Sequence, residues 1–343
     1  MREITKNNIE KTVTVNPYSG YDNYIAVDWS QKTMAIARLS CKSSNRLKIS
    51  EQPSDVKALQ QILKSIQGKK IVVVEESSPA HWLYIKLHDY AEKIVICDPY
   101  RNRLLSEGPK NDPIDARKLC QLLHSGLVKE VYHSDEEVFE LRKYVSNYID
   151  LIKMGVRLQN QRSGFLSQEG KTKKTKTGIE NKANRFIIER LDKNIALYEE
   201  QKDEYKKFFE ELCESNKTLN CLCTLHGIAE ISAVKILAMM INAGRFKNTG
   251  KFLAYCGLVS YNKESGGKVY GRKRPRYCRT LKEVFKTSAL AAIKRNNPIK
   301  EYYEYMIKEG ISEHNARHTI ARYLARLSYG IVKTKTEYKP YKR

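Results

Sequence analysis

The sequence predicts an α/β domain built on a mixed sheet, followed by long helices and a mainly helical C-terminal region. Three observations predict it. β-rich runs alternate with helical spacings between Tyr24 and Leu123. Ile71-Val72-Val73-Val74 is a continuous apolar run, the mark of a strand buried on both faces. From Ser134 onward, apolar residues recur at three- and four-residue steps over long stretches.

The elements follow in order. Residues 1–20 are polar and patternless and read as a flexible arm. Tyr24-Ile25-Ala26-Val27-Asp28 is the first strand, residues 33–39 the second and residues 46–50 a weaker third; their short connections suggest an antiparallel meander. Val56, Leu59, Ile62, Leu63 and Ile66 share one helix face, and Gly68 closes that helix. The strand ending at Glu75 is expected at the centre of the sheet. A helix around residues 82–90, a strand at residues 94–97 stopped by Asp98-Pro99, and a helix from about Asp112 to Leu123 complete a sheet domain at residues 21–130.

Residues 131–215 read as a helical linker or dimerisation arm. Ser134 and Glu137 suggest a capping box, and Val138, Leu141, Val145, Tyr148 and Ile152 make a seam. A second seam runs through Ile187, Leu191, Ile195, Tyr198, Tyr205, Phe209 and Leu212. Between them lies a basic loop, 167–182, holding Lys173 and Lys174. Periodicity does not say whether the two helices pair within one chain or between subunits. Residues 216–332 form the C-terminal domain and 333–343 a basic tail.

Composition narrows the function. The 343 residues carry 62 Lys plus Arg against 39 Asp plus Glu, a formal charge of +23. A polyanion is the expected partner, DNA or RNA before a membrane surface. No run of about 18 apolar residues exists to span a bilayer, and the N-terminus lacks an apolar signal core, so secretion is not expected. Of the 8 Cys only Cys221 and Cys223 lie close, as C-x-C, and the 7 His are dispersed. A disulfide scaffold and a zinc finger are therefore excluded, and reduced cytosolic thiols are expected.

Three constellations could carry chemistry. Asp28 and Glu75 end strands, and Asp112 and Asp115 stand three apart at a helix start, with Asp112 as expected N-cap before Pro113. Groups at strand ends gather at one edge of an α/β sheet. Four carboxylates there would repel one another, and magnesium would relieve the repulsion and polarise a phosphodiester. Each carboxylate alone also fits an ordinary structural role. Glu76 competes with Glu75, but alternation turns the two to opposite faces. Second, Ser265 lies in the Gly- and Lys-rich loop Glu264-Ser265-Gly266-Gly267-Lys268, followed by Arg272, Lys273, Arg274 and Arg276. The glycines would admit a ligand, the cations would hold phosphates, and the serine would serve as nucleophile or only as hydrogen-bond donor. Third, His226-Gly227-Ile228-Ala229 is similar to a helix-hairpin-helix turn, whose backbone N–H groups at a helix start bind phosphate; a plain helix connection fits as well. His314 and His318, four apart, lack the Glu of a zinc protease and read as ordinary surface or core histidines.

Together, D…E…D-x-x-D, the helical linker, G-I-A, Ala254-Tyr255-Cys256-Gly257-Leu258 and Ser265-Gly266-Gly267 resemble the bridge-RNA-guided transposases of the IS one-ten type and the related Piv-type DNA invertases. The most specific piece is Lys110-Asn111-Asp112-Pro113-Ile114-Asp115-Ala116-Arg117, similar to the family's K-T-D-x-x-D-A. This sequence departs from the family after Leu258, where Val259-Ser260-Tyr261 replaces an early Pro, and in Arg272-Lys273-Arg274-Pro275-Arg276. The resemblance implies an RNase H-like (RuvC-like) domain with Asp28, Glu75, Asp112 and Asp115 as ligands of Mg2+ or Mn2+, and a transposase domain in which Ser265 forms a covalent phosphoserine link to DNA. It implies donor and target double-stranded DNA, a noncoding guide RNA, and a dimer or tetramer whose subunits share each site. It also implies a prokaryotic, cytoplasmic, nucleoid-associated protein. The rival readings are an invertase without guide RNA, a junction-resolving nuclease with water as nucleophile, and a non-catalytic scaffold.

Overall fold

The computed structural model describes residues 16–42, 47–102, 111–134, 137–172 and 178–340. Most of the expected N-terminal arm, together with Lys173 and Lys174, lies outside them. The chain divides into two compact units, Met1–Asp135 and Glu136–Arg343.

The first unit is a six-stranded mixed sheet with helices on both faces. Its elements are β1 (Asn23–Trp29), β2 (Thr33–Ser40), β3 (Leu47–Pro53), α1 (Val56–Ser65), β4 (Lys70–Glu75), α2 (Ala80–Leu87), β5 (Lys93–Cys97), α3 (Asp112–His124) and β6 (Glu130–Val131). The spatial order is β3-β2-β1-β4-β5-β6. The meander β1-β2-β3 is antiparallel, and β1, β4 and β5 run parallel, with Val27 paired to Val74 and Val74 to Ile96. β4 is buried along its apolar run, as its unbroken valines require.

Strand alternation divides the core in two. Tyr24, Ala26, Ile71, Val73, Val95 and Cys97 pack with Ala116, Leu119, Cys120 and Leu123 of α3. Ile25, Val27, Val72, Val74, Ile94 and Ile96 pack with α1 and α2 through Leu59, Leu63, Leu83 and Leu87. Two local expectations are corrected here. Asn111, not Asp112, caps α3: it is extended, and its Oδ1 accepts from Ile114 N at 2.9 Å. Helix α1 ends at Ser65 with Ile66 already extended, two residues before Gly68. The short edge strand β6 had no signal of its own in the sequence.

The second unit opens with a 3-10 turn (Glu137–Glu140) and α4 (Leu141–Ser167), then α5 (Lys182–Ser215). Ser134 does not cap α4, since its buried Oγ has no hydrogen-bond partner and the turn intervenes. The two long helices pair with each other in antiparallel fashion. Tyr144 meets Phe208 at 4.9 Å between ring centroids and Tyr148 meets Phe209 at 5.4 Å. Farther along, Gly155 makes room for the Tyr198 ring, and Arg162 bonds Asp192. Ile188 rather than Ile187 is buried, because it packs with Leu166 and Ile179. Next come α6 (Lys217–Cys223), α7 (Glu230–Met240), α8 (Thr249–Tyr255), β7 (Tyr261–Ser265), β8 (Lys268–Lys273), α9 (Arg279–Ala292), α10 (Pro298–Lys308) and α11 (Glu313–Thr334). Phe209, Leu237, Phe252, Phe285 and Leu324 belong to its larger core, and Leu166, Ile179 and Ile188 form a smaller separate one. No described helix is long and apolar enough to cross a membrane.

Candidate active site

In the first unit the four candidate carboxylates gather at one end of the sheet. Asp28 and Glu75 each follow the Val27–Val74 pair by one residue. Alternation puts them on the side of Ala26 and Val73, which is the side covered by α3. Asp112 and Asp115 occupy the first turn of that helix. Their mutual field is visible at Asp28. Burial, then the charges of Asp112, Glu75 and Asp115, push its carboxyl up to about 6.

A divalent cation would offset the mutual repulsion of these carboxylates. The four groups offer only carboxylate oxygens, the donors that suit a small hard divalent ion. Asp115 Oδ1 is buried with no hydrogen-bond partner, an atom that has given up water without replacing it. The residues thus fit such an ion in chemistry. Among the described residues, no group of three or more His, Cys, Asp or Glu is closed to the spacing of a bound metal.

Glu76 belongs to another set of contacts. The His133 ring donates to its carboxylate, with Nε2 2.7 Å from Oε2, and His133 Nδ1 lies 3.4 Å from His81 Nδ1. His81 and His133 are far apart in sequence, so no local pattern revealed this cluster. Behind Glu75, Cys97 is fully buried and accepts from Asn102 Nδ2 at 2.8 Å. Burial and then Glu75 push its thiol up to about 12. The period-two pattern through Val95 could have placed Cys97 beside Glu75; Asn102 carried no signal.

The second unit presents Ser265 on a β-hairpin, not in a loop. β7 and β8 pair antiparallel, with Ser265 opposite Lys268. Gly266 and Gly267, at φ of +55° and +75°, make the two-residue turn. Such a turn needs positive φ at both central positions, so these glycines serve the backbone first. The side chains of Ser265 and Lys268 are exposed, as are Arg272 and Lys273 on β8 and Arg274 and Arg276 beyond it.

Gly227 also has a packing reason. A Cβ there would lie 2.4 Å from the Ser288 carbonyl oxygen, and φ is +89°. Ile228 N donates to Leu225 O at 2.9 Å, so one N–H of this turn is already spent. The cleft beside it, about 480 Å³, is lined by His226, Lys294 and Arg295 among others. His314 and His318 meet at 4.7 Å between ring centroids on α11.

Comparison with known proteins bears on both units. Residues 219–304 match the family model of the transposase IS116/IS110/IS902 family. Residues 25–170 match a second transposase model, of the IS110 DEDD type. A similar protein is the insertion element IS116 uncharacterized 44.8 kDa protein of Streptomyces clavuligerus, 23% identical over 162 residues. That match covers 47% of this chain and only 40% of the relative.

Proposed function

The chain belongs to the IS116/IS110/IS902 transposase family, and from that premise we propose that it is a DNA recombinase that cuts and rejoins phosphodiesters. The observation that carries the reading is the shared field of Asp28, Glu75, Asp112 and Asp115 at one sheet end. Asp28 and Glu75 hold their oxygens on rigid strands, and Asp112 and Asp115 bring theirs on the first turn of α3. Bound there, Mg2+ or Mn2+ would neutralise the carboxylates and polarise the scissile phosphate. Ser265 supplies the nucleophile. Its Oγ bonds to phosphorus as the bond to one DNA oxygen breaks; the hydroxyl proton is lost and the leaving oxygen is protonated. One phosphodiester is exchanged for another, so no outside energy source is required. Cations within residues 268–276 hold the DNA backbone, and Gly227 contributes the turn that approaches a further phosphate. Lys173 and Lys174 add positive charge in the sequence between α4 and α5.

Donor and target duplexes are the substrates in this reading, a homo-oligomer the working form, and a structured noncoding RNA the guide. The test uses suicide DNA that traps a protein–DNA adduct. Wild-type protein with magnesium should form the adduct; Ser265→Ala and Asp28→Asn should not. Strand cutting retained in Ser265→Ala would mark a metal nuclease with water as nucleophile. Strand exchange unaffected by Asp28→Asn would end the catalytic reading. Sequencing the RNA that copurifies decides the guide: one defined species supports it, and none favours a protein-read invertase.

A further inference from the structure

The register of the β7–β8 hairpin sorts its side chains in a way the sequence does not display. Cross-strand partners share a face of a two-stranded ribbon. Ser265 pairs with Lys268, Lys263 with Gly271, and Tyr261 with Lys273. Alternation puts Tyr261, Lys263 and Ser265 on one face. That face therefore carries three lysines and the serine. The other face carries Asn262 opposite Arg272 and Glu264 opposite Val269. The ribbon's one acidic residue is thus turned away from the serine.

The register shifts between Lys263 and Glu264, and Tyr270 is left without a cross-strand partner. Lys263 Nζ lies 5.9 Å from the centroid of the Tyr270 ring, so the extra residue leans to the lysine face. A bulge adds local twist, and twist suits a ribbon that follows a helical backbone. Both faces are almost wholly exposed, so neither is committed to the core of this chain.

We infer that the Ser265 face of this ribbon is a one-sided track for the phosphate backbone of duplex DNA, formed by Lys263, Lys268 and Lys273 with Tyr270 beside them. The inference rests on the reading of the protein as a DNA recombinase and narrows it. Arg272, on the opposite face, is excluded from the track. Lys263, which lies before the serine in sequence, is included. The occupant is argued from charge: three cations with no acid on their face match a line of phosphates.

The test measures binding rather than chemistry. Duplex of unrelated sequence is titrated, over a salt series, with full-length protein carrying Ser265→Ala so that no adduct forms. Each phosphate contact adds about 0.9 to the slope of log affinity against log salt. Replacing Lys263, Lys268 and Lys273 together by Gln should lower that slope by about 2.7. Arg272→Gln and Glu264→Lys should each change it by much less than one contact. Equal losses from Arg272→Gln, or an unchanged slope in the triple variant, would overturn the track. So would loss of RNA binding alone with duplex binding intact. Lysine acylation of the unmutated ribbon gives a second measurement: bound duplex should protect Lys263, Lys268 and Lys273, and failure to protect them counts against the inference. The two readings fail separately. A split in slopes with no adduct from the wild-type protein on suicide DNA leaves the track standing and removes the recombinase; a wild-type adduct without a split does the reverse.

Discussion

The two candidate halves of the chemistry are built in opposite ways. Three of the four carboxylates of the first unit adjoin a buried residue: Val27 before Asp28, Val74 before Glu75, Ala116 after Asp115. Ser265 stands on a ribbon with both faces in solvent. On the proposed reading the difference follows from the task. Oxygens that hold one small multivalent cation must keep fixed mutual distances, and close-packed strands and helices give that. A hydroxyl that must bond to a polymer needs access more than packing. The cost falls on the carboxylates, whose charges act on one another at Asp28.

Four comparisons sharpen this contrast, from the largest expected effect downward. Asp115→Ala should reduce strand cutting by about 100-fold or more, the range seen when a transition-state charge stabiliser is lost. Glu76→Gln, on the His133 side, should cost far less; cutting assays on the pair, with melting as a folding control, check this. Comparable losses would erase the distinction between the two faces of β4. Next, Val73→Ala, fully buried beneath the carboxylate end, should lower folding stability by about 2 kcal/mol. Val269→Ala on the ribbon should stay within about 0.5 kcal/mol. Denaturant melts of both measure the contrast directly.

Gly266→Val should weaken the turn by about 1–2 kcal/mol, because a β-branched residue resists positive φ. Adduct yield should fall while the global melting temperature holds, since the ribbon contributes little to the core. The smallest effect is on pH. In chelated protein, Asp28 is raised from 3.8 to about 6, by burial first and then by Asp112, Glu75 and Asp115. Between those values the folded chain keeps a proton that the unfolded chain has released, so stability is highest below the lower value and falls as pH rises through the upper one. After discounting for solvent screening of a half-buried group, the loss is about 1 kcal/mol. Asp28→Asn should flatten that slope, and added magnesium should restore stability at neutral pH.

Much of the first unit was legible because its strands are buried on one or both faces. The valine run fixed β4, and the period of two was enough to separate Glu75 from Glu76. The cap of α3 was misplaced by one residue because Asn and Asp cap equally well and Pro is tolerated at either of the next two positions. The convergence of α3 on Asp28 and Glu75 is tertiary, and no local pattern encodes it. The β7–β8 hairpin escaped for the opposite reason. With both faces wet, its strands show no hydrophobic alternation, and Gly266-Gly267 was the one turn signal present. The long helices were legible as helices, but it takes tertiary contacts such as Tyr144 with Phe208 and Tyr148 with Phe209 to show that they pair within the chain.

That in-chain pairing makes α4 and α5 a ruler with its own fine adjustment. Removing seven residues from each helix at matched heights would keep the aromatic seam in phase and draw the tip back by about 10 Å. Removing them from one helix alone would shear the seam and leave Tyr198 without the hollow at Gly155 that receives it. A graded set of matched deletions would therefore alter reach while leaving the sheet-end carboxylates and Ser265 untouched, a separation of two variables within one chain.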